Sequence, residues 1–474
     1  MGKDAKKRKI TPLNAWAFSF ACAIGWAAFI MPATTFLPQG GVTGSILAFI
    51  AGGAVMCVIA ACYHYLGNLY PDQGGIYSII KCSLNRSIAF VAAWGMGLAH
   101  MCCIPLNAKA MAMLIRVFLE EAFELKFEIN FFQSDTLLLE AVLIVICLFL
   151  FGLINVRGIK QAARVQTIGA IVLLSGIVIM LIAAAFTSPK GAAAFTPSLP
   201  EGSSFVSSFI PIFLITPWAF VGFDSLSKVT QELNFPVKRI GRIMIIAVIC
   251  GTFTYIANIL TTLLGMPADY ASWTEYLNGV KKLSGVDAYP VALAAKNAMG
   301  KVGVMIFFAS CISATLTGLV GFFTSISRLL SQMAEDDILP DFLGKIDPKR
   351  GTPAKAIWTV VVLALLLSLM RDSFDFIEEV ASVGTALGFG LVAAATLVNA
   401  QSREDKKYVW VGLAGFLLCL CFLTFLLTGF AGQNGVMSFK SYFLLMLWVF
   451  IGIAIYSFFT RNKQKSEIEL DHQK

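Results

Sequence analysis

Two short stretches place glycine, proline and aromatic residues inside otherwise apolar runs: Ile24-Gly25-Trp26-Ala27-Ala28-Phe29-Ile30-Met31-Pro32 and Thr216-Pro217-Trp218-Ala219-Phe220-Val221-Gly222-Phe223-Asp224. Gly and Pro at such positions interrupt a helix. The unwound turn frees backbone N–H and C=O groups, and the half-helix ends carry partial charges of opposite sign. That chemistry suits holding a small zwitterion. Among the ionisable groups in apolar runs, Asp224, His100 and Lys109 are the candidates for coupling. A charge at the bilayer centre costs roughly 2.5–3.5 kcal/mol on insertion scales, so each needs a partner or a wet cavity. His100 is a candidate proton carrier, with a satisfied core histidine as the other reading. Lys109, about 13 Å further along a helix, is expected to reach the outer surface or to pair with an outer acid. Asp224 is a candidate for substrate or proton handling, or for capping a half-helix. The hydroxyls of Ser310, Ser313 and Thr315 are weak sodium candidates, against the packing and backbone bonding that such residues usually provide.

No reaction centre accompanies them. His64, His100 and His472 are the only histidines, and no nucleophile, base and metal-ligand set converges. The eleven cysteines lie almost entirely in apolar runs without C-x-x-C spacing, so neither a disulfide framework nor a metal is expected. Haem, flavin and iron–sulfur chemistry lack ligands, and no cofactor is expected.

The elements that must position these residues follow from composition. Of 474 residues, 58% are hydrophobic and only 14% charged, a balance that fits a bilayer and not water. Apolar runs of about 18 to 30 residues recur along the chain. They predict an all-α, polytopic membrane protein with twelve spans, near 15–37, 42–66, 88–118, 137–156, 163–186, 207–227, 241–265, 302–330, 354–370, 376–399, 408–428 and 440–460. The first run is too long for a cleaved signal peptide and is read as a retained helix. Basic residues cluster at the N-terminus (Lys6-Lys7-Arg8-Lys9), at Arg157/Lys160/Arg164, Lys238/Arg239/Arg242, Lys345/Lys349/Arg350 and Lys406/Lys407, and in the Arg461/Lys463/Lys465 tail. By the positive-inside rule both termini are cytoplasmic. The opposite loops carry Glu120, Glu121, Glu124, Glu128 and Asp135, then Asp372, Asp375, Glu378 and Glu379. The net charge of +8 thus reads as topology, and no nucleic-acid partner is expected. Glu335, Asp336 and Asp337 near Lys345, Lys349 and Arg350 suggest a mixed-sign loop that pairs internally as an inner latch. The charged ends, the first eleven and last dozen residues, are expected to lack structure.

The two interrupted runs are the first and sixth, five helices apart, the spacing of two inverted repeats whose first helices break at the midplane. Four motifs in order then resemble the amino acid–polyamine–organocation (APC) permease superfamily. Ile24 to Phe29 with Pro32 resembles its IGSGIF…P, and Tyr70-Pro71-Asp72-Gln73-Gly74-Gly75-Ile76-Tyr77 its P-x-x-GG-x-Y loop. Trp218 to Ser225 with Gln231-Glu232 and Pro236 to Arg239 resembles WAFxGFES…EExxNPxR. Arg328, Met333 to Asp337, Leu339-Pro340 and Gly351-Thr352-Pro353 resemble R…MAxDGxLP…xTP.

The resemblance implies a LeuT-like fold: a transport core over 15–400 made of repeats 15–186 and 207–399, peripheral helices 11 and 12 over 401–460, and cytoplasmic tails at 1–14 and 461–474. It implies a substrate site formed by Ile24, Gly25, Trp26 and Ala27, facing a carboxylate, and by Trp218, Ala219, Phe220 and Gly222, with Trp218 as gate and the backbone beyond it facing an α-amino group. Two departures are visible. Trp26-Ala27 replace the small Ser-Gly pair, and Leu173 stands where several proton-coupled or exchanging members place a lysine. The expected function is secondary active transport of an amino acid or related amine across the plasma or inner membrane by alternating access, coupled to a proton or an exchanged substrate. A polyamine or biogenic-amine exchanger and a non-transporting nutrient sensor are the alternatives.

Overall fold

The computed structural model describes residues 10–71, 74–123, 138–368, 370, 373–428 and 437–472. The basic cluster Lys6–Lys9, the Asp72-Gln73 step of the second motif, and Glu124, Glu128, Asp135 and Asp372 lie outside the described residues. Among the described residues the fold is all-helical, with one isolated bridge between Ile10 and Leu233.

Helix α1 (Pro12–Ala23) opens on a capping box in which Thr11 and Asn14 satisfy each other's backbone N–H, with Pro12 at the first helical position. It stops at Ile24, which is extended (φ −102°, ψ 105°). The helix resumes as α2 (Ala27–Met31), passes through a π turn over Pro32–Phe36, where Pro32 has no N–H to give, and continues as α3 (Leu37–Leu69) after a bend at Gly41. A short α4 (Gly75–Ser83) precedes α5 (Arg86–Phe123), α6 (Leu138–Val156) and α7 (Ile159–Thr187). Then α8 (Phe205–Ala219) breaks and gives way to a 3₁₀ stretch, Phe223–Glu232. The remainder is α9 (Ile240–Leu264), the short α10 (Trp273–Val280) and α11 (Pro290–Met299), α12 (Lys301–Glu335), α13 (Asp341–Gly344), α14 (Ala354–Ser368), α15 (Ser373–Ser402), α16 (Lys406–Thr428) and α17 (Phe439–His472).

Ten of the described helices are long and apolar enough to cross a membrane. Two of the twelve predicted spans are not among them as such. The first is divided, leaving α1 at 12 residues, and the ninth, α14, has 15. At 1.5 Å per residue, 15 residues rise about 22 Å, short of a hydrocarbon core of about 30 Å. The C-terminal tail departs from expectation differently. Helix α17 runs on to His472 through a segment free of Gly and Pro.

Helix α5 crosses the middle of the bundle against α12 and α15, and 78% of its most apolar window is buried; for α17 the figure is 6%. The contrast places α17 at the margin, held to α5 by stacked Trp94 and Trp448 (4.3 Å between centroids), each donating its indole N–H to the other's carbonyl. Helix α3 packs on α8 and α9. A Cβ at Gly52 would lie 2.4 Å from Thr216, so only glycine permits that approach.

Candidate functional site

The two breaks face each other. Intrahelical bonding in α2 begins with Ala28 N–H onto Gly25 O (3.3 Å) and Phe29 N–H onto Trp26 O (2.9 Å). The break therefore ends where α2 makes its first intrahelical bonds, at Ala28 and Phe29. On the other side α8 closes with Phe220 N–H onto Thr216 O and Val221 N–H onto Trp218 O, and Gly222 turns the chain at φ +106°. Four bonds join α1 and the residues just before it to the segment after the second break: Ser19 Oγ donates to Phe223 O (2.7 Å), Cys22 Sγ and Ser225 Oγ lie 3.3 Å apart, and Ile10 exchanges backbone bonds with Glu232 and Asn234. Helix α9 supports the other halves. Tyr255 donates to Ala219 O (2.8 Å) and Asn258, one turn on, donates to Ala28 O (2.8 Å).

Between the breaks lies a cavity of about 30 Å³. Of the residues expected there, Gly25, Trp26, Ala27, Trp218 and Ala219 line it. Ile24, Phe220 and Gly222 stand behind the wall, Phe220 against the Tyr255 ring (5.9 Å) and Gly222 against Cys22. Sequence reasoning missed Cys22, Cys103, Asn107, Tyr255 and Phe322, which with Ala23, Leu106 and Val221 complete the lining. Thirteen residues form it, and none is ionised at neutral pH.

One helical turn before Cys103, on the N-terminal side of the cavity, His100 meets Asp224 and Lys228. All three side chains are fully buried. Lys228 Nζ lies 2.6 Å from Asp224 Oδ2 and 3.2 Å from His100 Nδ1; His100 Nε2 lies 3.4 Å from Asp224 Oδ1. Lys228 Nζ is also 3.5 Å from His100 Nε2, so it sits beside the ring, close to both ring nitrogens. The carboxylate and the ammonium cancel with the imidazole packed against them, the arrangement in which buried charge is tolerable. Phe322 packs on His100 (5.4 Å) and lines the cavity, standing between the charges and the apolar chamber. Lys228 was invisible to the sequence reading although its signal, a cation four residues after Asp224, was present.

The other candidates fall elsewhere. Lys109 is buried, and it neither lines the cavity nor stands in the Asp224 cluster. Thr315 Oγ1 donates to Ile312 O (2.9 Å) and faces Met111, Ser310 Oγ donates to Ile306 O, and Ser313 lends its carbonyl to Thr317. Thr317, not either of the candidates, bridges α12 to the first break by donating to Ala21 O (2.9 Å). Leu173 is fully buried on α7.

The acidic loop after α12 does pair, with different partners from those expected. Asp336 binds Lys81 (2.5 Å) and accepts from the Tyr77 hydroxyl, while Arg86 donates to its carbonyl. Arg328 bonds Glu232 (2.7 Å), and Gln332 donates to Gly74 O (2.7 Å). Lys345, Lys349 and Arg350 were nearer in sequence, but the N–H groups of Lys349 and Arg350 are used in a local turn on Asp347. Burial pushes the Asp336 carboxyl up, but the bonds from Lys81 and Tyr77 and the charges of Lys81 and Arg86 outweigh it and hold the group below its usual value. A carboxylate lowered in the folded state stabilises fully above its unfolded pKa and loses that contribution only as pH falls through the folded one. The cluster should therefore contribute equally at pH 5 and pH 8. Asp336→Asn is expected to lower the melting temperature in detergent by a few degrees at both pH values; a deficit confined to one of them would contradict this assignment.

The sequence matches the amino acid permease family over residues 10–454. It is similar to the branched-chain amino acid permease BcaP of Bacillus subtilis (strain 168), 22% identical with 98% of this chain and 95% of the relative covered. It is likewise similar to the large neutral amino acids transporter small subunit 2 of Rattus norvegicus, 26% identical over 90% and 76%. A methylthioribose transporter of Bacillus subtilis is 22% identical over 96% and 94%. With a match that spans nearly the whole chain and a buried chamber between two broken helices, this multi-pass membrane protein belongs to the amino acid permease family.

Proposed function

We propose that the protein is a secondary active transporter of an amino acid, working by alternating access across the plasma membrane with both termini cytoplasmic. Residues 15–186 and 207–399 would be its inverted repeats. The observation that carries the reading is the meeting of both breaks at one buried, uncharged chamber. The start of α2 around Gly25, Trp26 and Ala27 turns the positive end of a helix dipole towards a carboxylate, and the end of α8 around Ala219 offers carbonyl density to an ammonium. Trp218 closes one wall. The Asp224–Lys228–His100 cluster beneath Phe322 supplies the coupling: a proton arriving on His100 makes the imidazole a cation, sets two cations together and drives Lys228 away. Substrate entry and proton movement are then linked through the 3₁₀ stretch that carries both Asp224 and Lys228.

Counterflow of labelled amino acid in proteoliposomes tests this. Saturable, trans-stimulated uptake that a pH gradient accelerates is expected; flux without saturation would point to a channel, and binding without flux to a receptor. Trp218→Ala removes a wall and an indole donor, so substrate binding should weaken about tenfold or more, on the scale of a hydrogen bond to a charged group. Unchanged affinity and turnover would remove Trp218 from the site.

A further inference from the structure

Three buried hydroxyls meet at a second cavity, away from the chamber. The 3₁₀ stretch Phe223–Glu232 turns once every three residues, which stacks Asp224, Ser227 and Thr230 on one face at steps of about 6 Å. The backbone leaves helical values at Val229 (φ −118°, ψ 18°), yet Ser227 and Thr230 still line the same cavity. Tyr63 and His64 face them from α3, and apolar side chains of α4 and α9 close most of the rest of a space of about 10 Å³. Tyr63, Ser227 and Thr230 are 3%, 3% and 8% exposed, and none of their hydroxyls has a hydrogen-bond partner among the described residues. A Cβ on Gly74 would lie 2.8 Å from Thr230 Oγ1, so a glycine of the second motif leaves that hydroxyl uncovered. Asp224 Oδ1, at one end of the line, accepts no hydrogen bond either; His100 Nε2 stands 3.4 Å from it. At the other end His64 is half-buried and packs on Gly241, beside the basic residues Arg239 and Arg242.

We infer that this cavity binds a water molecule which, with the hydroxyls of Tyr63, Ser227 and Thr230, carries protons between the Asp224–Lys228–His100 cluster and the cytoplasmic side. A space of that size holds one water, and a buried water bonds about three polar groups that would otherwise go unsatisfied. The three hydroxyls are such a set, and each can donate or accept as its neighbour requires. The relay involves no net chemistry. Each oxygen takes one proton as it passes on another, so one O–H bond forms for each that breaks, and the charge moves from the His100 imidazolium to bulk water. The other ionisable groups that bear on the route are Lys228 and His100 in the cluster, Cys62 and Cys419 at Tyr63, and Arg242 and Lys407 at His64. None of these six lines the cavity, so its wall holds no permanent charge to repel or trap a passing proton. None of the three hydroxyls lines the substrate chamber, which separates the proton's route from the substrate's place. The inference rests on the coupling reading and names the path that coupling uses.

The experiment uses the full chain in proteoliposomes and reads two modes: uptake of labelled leucine driven by a pH gradient, with luminal pH followed by a trapped dye, and leucine counterflow without a gradient. Counterflow exchanges loaded carriers and needs no proton to leave, whereas driven uptake does. Tyr63→Phe deletes one hydroxyl; Ser227→Ala with Thr230→Val deletes the other two and leaves an apolar cavity that stays dry. Each should cut driven uptake and luminal acidification about tenfold or more, as loss of one hydrogen-bonded link does, with counterflow within about twofold of wild type. Tyr65→Phe is the control. Its hydroxyl is also unpartnered, but its ring stacks on Tyr408 (4.4 Å) outside the cavity, and both modes should stay within about twofold of wild type. Should Tyr63→Phe fail to fold, the double variant decides. Driven uptake at the wild-type level in the folded variants overturns the route while coupling stands. Equal losses in both modes, or an equal loss in Tyr65→Phe, overturn it in favour of a packing role. A wild type that exchanges leucine but ignores the gradient overturns the coupling reading and the route with it, and one that does not exchange leucine overturns the transport reading beneath both.

Discussion

Lys228→Met should lower stability by about 3–5 kcal/mol and abolish uptake, because it leaves the Asp224 carboxylate buried without its counter-ion. The expectation follows from the geometry: both side chains are fully buried, and their closest atoms are 2.6 Å apart. Removing both charges is a different perturbation. Asp224→Asn with Lys228→Met leaves no orphan ion, and its melting temperature in detergent should return most of the way to wild type, since an ion pair replaced by neutral groups is often nearly neutral in stability. Uptake should not return, because the proton acceptor has lost the charges that respond to it. A single variant that melts with the wild type would show that the pair is not buried in the membrane-embedded protein. A double variant that transports with an unchanged pH dependence would remove the cluster from coupling.

The second large effect is expected at Gly222. Its φ of +106° lies where a side chain costs about 1–2 kcal/mol, and a Cβ there would meet Cys22 O at 2.8 Å and Cys22 Sγ at 2.9 Å. Backbone cannot rotate out of the way as a side chain can, so Gly222→Ala must prise the two breaks apart. We expect uptake to fall about tenfold or more, the consequence of roughly 1.4 kcal/mol or more at the site. Gly202 provides the control. Its φ is also positive (+72°), but nothing lies within 4 Å of a Cβ placed there. Gly202→Ala carries a backbone penalty without the collision and should transport within about twofold of wild type by the same conversion. Equal losses at both positions would mean that conformation alone, not the contact with Cys22, accounts for the effect.

What could be read in advance depended on whether the signal was local. Helix positions followed from apolar runs, and both breaks from Gly25/Pro32 and Pro217/Gly222, because backbone interruption is written into the residues that cause it. Lys228 was hidden by a plausible boundary. The apolar run weakens near residue 227 and Gln231-Glu232 follow, so a cation there resembles a loop, whereas the 3₁₀ stretch continues to Glu232 and carries Lys228 inward. Asn107, Tyr255 and Asn258 are ordinary polar residues in apolar helices, and only the neighbouring chain shows which carbonyl each serves or leaves waiting. The Asp336 cluster shows the same limit. Its partners Lys81 and Arg86 are some 250 positions away, while the basic residues close in sequence are turned elsewhere.

The bonds that run from Ile10 through Ser19 to Cys22 along one side, and from Glu232 and Asn234 through Phe223 to Ser225 along the other, have a mechanical meaning. Two half-helices that were free to tilt separately would need two independent hinges. Stitched at three heights, they make one unit, so that a tilt of either half-helix carries the other with it.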